Sequence, residues 1–444
     1  MKTTIKLTSL MLIVILVVSV LVGCASKTNA EPEATPTAVV EETPAAPEEM
    51  APADYVGEID VWTWWQDYFD ASIADFNAMY PNVTVNLTTM GWGDYLPKFE
   101  TAKAAGTGLP DIALAESTWW GKFLGYEDTF VDLTTLGFNK EDLVEAAGNV
   151  VVNTEGKFVA IPQGLGVGCI WYRKDLAKEY LGTDDPDELA ARFSTWEDFI
   201  NAGAEVKEKS NGEVYLLTNA LDTIEALIGS LKTNGKSYVD GDTLTVAENM
   251  PYAFDLLQQA LDAGYIAKVD GPAVDAAWAS GSVIFFPSAG WREGFIPNQD
   301  PEGAGRWSLM MPPGGSYFRG GTAEMIVDNG DETRAQLAGL FLKHRMYSKE
   351  GMQVNNDFGN LSGVKAVHEA KLTNGLNDYY GIDITNLFYG WLADMPAAVY
   401  GSYDSIIEDS LRAAANDMQN IGISADEAVE NAIADIRSKV PELN

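Results

Sequence analysis

From Gly57 to Ser117 the chain alternates between strand-like and helix-like hydrophobic periods. "GEIDVWTWW" at 57–65 reads as a buried strand, and from Phe69 the apolar residues Phe69, Ile73, Phe76 and Tyr80 recur at helical spacing until Pro81 and Asn82 stop them. "VTVNL" alternates as a second strand, "DYLPKFETAKAAG" reads as a second helix, and "LPDIALAES" is a third strand after the Gly106 to Pro110 break. Few folds accept a β-α-β-α-β series. It implies a parallel sheet with right-handed crossovers, and such sheets bind ligands outside the carboxyl ends of their strands. Trp64 and Trp65 follow strand one and Glu116 to Trp120 follow strand three, so two aromatic loops are expected at one rim.

A second series repeats the style. It begins with "GVGCIWYRKDL", continues through the helix "STWEDFINAGAEV" with Ser194 and Glu197 as a capping box, and reaches the strand "VYLLTNA". "YVDGDTLTV" is a hairpin signal at Asp240-Gly241, "NMPYAFDLLQQALDAG" a helix, and "SVIFFPSAGW" a buried strand ending at Trp291. Then come "RWSLMMPPGG", the strand "GGTAEMIVD", and the helices "DETRAQLAGLFLKHRMY", "SYDSIIEDSLRAAANDM" and "SADEAVENAIADIRSKV", the last with Ser424 and Glu427 as a capping box. No tandem repeat is visible. Since single cores stop growing at about 250 to 300 residues, a chain of 444 residues should divide into two lobes.

Charge narrows the partners. With 29 Lys+Arg against 65 Asp+Glu, the formal charge of -36 repels phosphate backbones and anionic lipid surfaces, so nucleic acid is excluded as a partner. His344 and His368 are the only histidines and Cys24 and Cys169 the only cysteines, too few for a zinc cluster. The histidines read as surface or helix-face residues, and no metal or cofactor is expected. Cys169, within the apolar "GVGCIWY", reads as a small buried hydrophobe rather than a nucleophile.

Lys2 and Lys6 precede an apolar run from Leu10 to Val22, too short for a comfortable membrane span and suited to a signal peptide over 1–23. The run ends in "LVGC", which resembles the bacterial lipoprotein box; the resemblance implies cleavage before Cys24 and lipidation of its sulfur. Residues 24–54 then carry scattered Pro and Glu without a period and read as a disordered acidic leash. The expected location is extracytoplasmic, tethered to the cell membrane.

The order of segments resembles the family 1 extracellular solute-binding proteins of ABC importers, especially those that bind sugars. The pieces that carry it are "VWTWW…FNAMYPNVTV", "KFETAKAAGTGLPDIAL", "KFVAIPQGLGVGCIWYRKDL", "TWEDFINA", "SGSVIFFPSAGW", "WSLMMPPGG" and "GGTAEMIVDNGDETRAQLAGLFLKH" followed by "SKEGM". The resemblance implies an α/β, two-lobed periplasmic-binding-protein fold with parallel-rich sheets flanked by helices and a hinge between the lobes. It implies a monomer that binds its ligand without transforming it and hands it to membrane permease subunits. Crossings between lobes are expected near Pro162 to Gly164, Pro312 to Ser316 and Phe358 to Val364. Residues 55–162 with 316–358 would then form the N-terminal lobe, and 163–315 with 359–444 the C-terminal lobe. Carried over by position, the ligand-binding residues are Trp64, Trp65 and Gln66, then Glu116, Trp119 and Trp120, then Trp291, and Tyr400 or Tyr403.

A sugar has apolar C-H faces and a rim of hydroxyls, which suit flat aromatic rings with a few carboxylates and amides. Trp65, Trp119 and Trp291 therefore read as ligand-facing, whereas Trp62 reads as core. A surface-bound glycoside hydrolase would use the same aromatics with two catalytic carboxylates. The same fold could also serve a peptide, a polyamine or ferric iron, with Tyr379 and Tyr380 as the pair an iron site would use.

Overall fold

The computed structural model describes residues 50–148, 150–372, 374–397 and 400–444. The expected signal peptide, Cys24 and most of the leash lie outside them.

The predicted series folds as read at its centre. β1 (Gly57–Thr63) pairs in parallel with β2 (Val83–Thr89) and with β3 (Ile112–Glu116). The helix Gln66–Met79 buries Tyr68, Phe69 and Phe76 against this sheet, and the helix Trp92–Ala105 buries Tyr95 and Phe99. That second helix starts two residues before the predicted Asp94, with Gly91 as its N-cap, and this shift brings Trp92 onto its first turn.

β4 (Ile161–Arg173) is buried along its whole length and belongs to both halves of the molecule. Its first part pairs with β10 (Phe318–Ile326), which continues onto β3. Its second part pairs with β8 (Val283–Ala289) and β9 (Trp307–Met310), and β8 pairs in parallel with β5 (Tyr215–Leu217). The pairings through β4 and β10 are antiparallel, so the sheet is mixed; these strands pass directly between halves and need no crossover helix. The Asp240-Gly241 hairpin forms as predicted, joining β6 (Val239–Asp240) to β7 (Thr243–Leu244).

Two hydrophobic cores result. One gathers Ile59, Phe69, Trp120, Ile161, Ala323 and Phe341; the other gathers Tyr172, Phe199, Leu227, Phe254, Phe285, Leu411 and Ile436. Alternation along β4 sends Cys169 and Trp171 to the first and Ile170 and Tyr172 to the second. The C-terminal stretch 359–444 is divided between them. Leu361, Val364, Phe388 and Met395 join the first core, and residues from Ile407 onward join the second. Phe358 to Val364 is held there by backbone bonds, Leu165 N to Leu361 O at 2.8 Å and Val144 N to Gly363 O at 2.8 Å. The chain instead returns to the second core after Met395, where a Cβ on Gly121 would lie 1.9 Å from the Gly401 carbonyl oxygen. Only glycine permits that approach.

Local readings were mostly accurate, with instructive slips. Ser424 caps its helix by accepting from Glu427 N, but at the earlier box the cap is Thr195, accepting from Asp198 N. The cap moved one residue because Thr195 and Asp198 present the same spacing as Ser194 and Glu197. Cys169 is fully buried, and burial pushes its thiol well above the ordinary range. Both histidines lie on helix faces: His344 is buried with Nε2 2.7 Å from Asp75, and His368 is half-buried with Nε2 2.8 Å from the Ser362 carbonyl oxygen. Among the described residues no group of His, Cys, Asp and Glu could hold a metal, and no helix is long and apolar enough to cross a membrane.

Candidate functional site

The strand rule points to a cleft. A cleft of about 480 Å³ opens between the two cores, within the range of about 300 to 1,000 Å³ usual for small-molecule sites. Its walls come from carboxyl ends of parallel strands: Trp92 after β2, Glu116 to Thr118 at the end of β3, the helix Ala220–Thr233 after β5, and Trp291 and Arg292 after β8. Phe318 to Gly320 of β10, Tyr400, and Glu408 and Arg412 of the helix Asp404–Asn420 complete it.

Of the predicted residues, Glu116, Trp291 and Tyr400 line this cleft; Trp64, Trp65, Gln66, Trp119, Trp120 and Tyr403 do not. The rings of the tryptophan cluster pack largely on one another and on the first core. Trp119 is buried and stacks between Trp92, at 5.2 Å, and Tyr95, at 5.9 Å, while Trp64 meets Tyr95 and Trp119 edge-on at 5.0 and 5.7 Å. These rings buttress Trp92, which alone of them reaches the cleft and is 50% exposed. Trp120 is fully buried, its indole N–H donating to the Ala115 carbonyl at 2.7 Å, because the short helical turn after Glu116 rotates both tryptophans inward. Trp65 stands at the N-cap position of its helix without a side-chain cap bond, and packs on Tyr68 and Phe358. Gln66 bonds Asp70 and Thr89 on the surface, and Tyr403 packs half-buried on the second core. Trp62 is buried, with the Lys98 ammonium 4.3 Å from its ring.

Trp291 is 40% exposed, and its N–H donates to the Arg319 carbonyl at 3.2 Å. Its ring lies against Gly320, where φ is +80° and a Cβ would sit 2.9 Å from Nε1. Glycine serves twice here, for the backbone turn and for the ring.

The cleft walls carry a dense ion network. Arg319 pairs with Asp222 at 2.8 Å and with Glu225, and donates to the Pro287 carbonyl at 2.7 Å. Burial pulls its pKa down, but the two carboxylates outweigh this and leave it raised. Arg412 reaches Glu225 at 2.7 Å and Glu408 at 3.5 Å. Lys232 bridges Asp404 at 2.9 Å and Glu408 at 3.0 Å, its ammonium 4.6 Å from the rings of Tyr238 and Tyr400. Among the described residues no cation pairs with Glu116; burial raises its pKa, opposed by hydrogen bonds from Thr118 and Ser117. The facing charges are thus four acids, Glu116, Asp222, Glu225 and Glu408, against four bases, Lys232, Arg292, Arg319 and Arg412.

That balance bears on the rival ligands. A polyamine would find Asp222, Glu225 and Glu408 already paired. The iron pair is also engaged elsewhere: Tyr379 donates to the Asp300 carbonyl at 2.6 Å and Tyr380 to the Glu293 carbonyl at 2.8 Å. Sequence reasoning missed Trp92, although the rule applied to strands one and three covers strand two equally. It also missed the helix after β5, where Asp222, Glu225, Gly229 and Lys232 form a polar stripe at helical spacing on an otherwise apolar helix.

Comparison with known proteins gives concordant results. The family model described as "Bacterial extracellular solute-binding protein" matches residues 71–373. A lactose-binding protein from Rhizobium radiobacter is 24% identical over 390 residues, covering 81% of this chain and 88% of that one. Among solved structures, a family 1 extracellular solute-binding protein superposes with a TM-score of 0.77 at 21% identity, covering 87% of this chain and 100% of the other. The galacto-N-biose-/lacto-N-biose I-binding protein of an ABC transporter from Bifidobacterium longum, in complex with lacto-N-biose, does so with a TM-score of 0.71 at 18% identity, covering 88% and 98%.

Proposed function

Because the chain belongs to the bacterial extracellular solute-binding protein family, we propose that its cleft binds a sugar or oligosaccharide and presents it to the permease of an ABC importer. Members of this family bind solutes outside the cytoplasm and are not enzymes. The observation that carries the sugar reading is the pair Trp92 and Trp291, two partly exposed indoles brought to one cleft from the ends of β2 and β8 among hydrogen-bonding acids and bases. Aromatic faces take the C-H face of a pyranose while the polar groups take its hydroxyls. The relatives named for lactose and lacto-N-biose support the same class. Closure would turn on β4, β10 and the segment after Met395, the connections between the cores, with Gly320 and Gly321 at the irregular register of β10.

The test is titration calorimetry and thermal shift of residues 55–444 against a glycan panel. A cognate oligosaccharide should raise the melting temperature, compact the particle in solution scattering and be recovered intact after long incubation. If none of the sugars binds, or if shorter sugars accumulate, the reading fails. Trp291→Ala should weaken the binding by roughly 2 kcal/mol or more, as truncating an aromatic hot spot does. The ligand-free melting temperature should hardly move, because the ring is 40% exposed.

The protein is further proposed to act as a monomer held to the membrane by lipid on Cys24. Two acyl chains at about 0.8 kcal/mol per buried CH₂ give stable anchoring. Cys24→Ala should move the protein from the membrane to the soluble fraction, and a wild type already soluble in cells would refute the anchor.

A further inference from the structure

Pairing the charges across the cleft leaves one base over. Lys232, Arg319 and Arg412 each hold at least two carboxylates, as described above. Arg292 holds none. Among the described residues no side-chain hydrogen bond reaches its guanidinium, and its Nε is buried without a partner. Its plane rests against Trp278, at 5.1 Å, and Trp291, at 4.6 Å. Burial depresses its pKa, and Asp222, Asp275 and Glu225 act on it only at a distance. The indole faces stabilise the cation but take none of its N–H bonds, and the residue lines the cleft.

A partly buried guanidinium left unpaired is costly, and none of the described acidic residues is paired with this one. We propose, resting on the sugar reading above, that the bound sugar carries a carboxylate, as a uronic acid residue does, and that Arg292 receives it. Planar guanidinium and planar carboxylate match in a two-bond fork. A neutral sugar would offer hydroxyls alone and leave the charge uncompensated. A phosphate or sulfate ester meets one free cation and four acids, a poor match for a more highly charged or more diffuse anion. Glu116, a lining acid with no cation partner among the described residues, already accepts hydrogen bonds from Ser117 and Thr118.

The experiment uses matched twins: di- and trisaccharides of galacturonic, glucuronic and mannuronic acid, each beside its carboxyl-reduced form, with sulfated oligosaccharides as a third arm. Calorimetry on the wild type should give at least one uronate bound about tenfold or more tighter than its reduced twin, with the difference shrinking as salt rises. Arg292→Gln should erase that preference, so that a uronate and its reduced twin bind the variant alike, and Arg292→Lys should keep part of it by retaining the charge without the fork. Reduced twins that bind as well as the acids, or sulfated sugars preferred over both, would overturn the carboxylate and leave the sugar reading standing. Failure of every sugar would overturn both. The wild-type comparison decides the matter even if a variant fails to fold.

Discussion

Trp120→Ala should lower the folding stability of the ligand-free protein by roughly 3 to 5 kcal/mol, the cost of truncating a large buried aromatic. The ring is wholly buried in the first core, its N–H satisfied by the Ala115 carbonyl and its edge set against Tyr400 with centroids 5.2 Å apart. Removing it leaves a cavity that the sheet behind it cannot collapse into, and it orphans an acceptor on β3. Chemical denaturation followed by tryptophan emission and far-ultraviolet dichroism would measure it. Ligand affinity, measured on the fraction that remains folded, should change far less than in Trp291→Ala. A stable Trp120→Ala protein with abolished binding would mean that the ring reaches the ligand after all.

Arg319→Met should be comparably severe for a different reason. The guanidinium sits between Asp222 and Glu225, both largely buried, and also holds the Pro287 carbonyl of β8. Without it Glu225 retains Arg412, at 2.7 Å, but Asp222 is left facing a second carboxylate with no cation. Breaking a buried pair from one side typically costs about 3 to 5 kcal/mol, because the partner's charge stays behind. The denaturation midpoint reports this loss. Arg319→Met combined with Asp222→Asn should recover a substantial part of it, since the stranded charge is then removed. A single variant as stable as wild type, or a double variant no better than the single, would show that the network contributes little to the fold.

Much of the architecture was legible from the order of residues. The helical spacing of Phe69, Phe76 and Tyr80 and the alternation of "VTVNL" are local patterns, set by 3.6 and 2 residues per repeat, and they hold wherever the surrounding fold buries one face. From that series followed the parallel pairing about β1 and the rule that ligands meet the carboxyl ends of strands, which brought Glu116 and Trp291 to the cleft.

Which way a ring points after a strand ends was decided by tertiary structure. Trp119 and Trp120 follow Glu116 directly, yet one helical turn swings both into the core, where stacking on Tyr95 and packing near Tyr400 hold them. A turn of one residue more or less would reverse that outcome, and periodicity carries no information about it. Charge pairing is equally opaque: Arg319 meets Asp222 across 97 residues and Arg412 meets Glu225 across 187, so no window of sequence contains either pair. The sequence by itself therefore determined two α/β cores and the strand-end rim on which the cleft opens. Only the folded chain decided that Trp92 and Trp291 reach the cleft while Trp64 and Trp119 support Trp92 from behind, because a side chain's neighbours across a cleft are a property of packing and not of spacing.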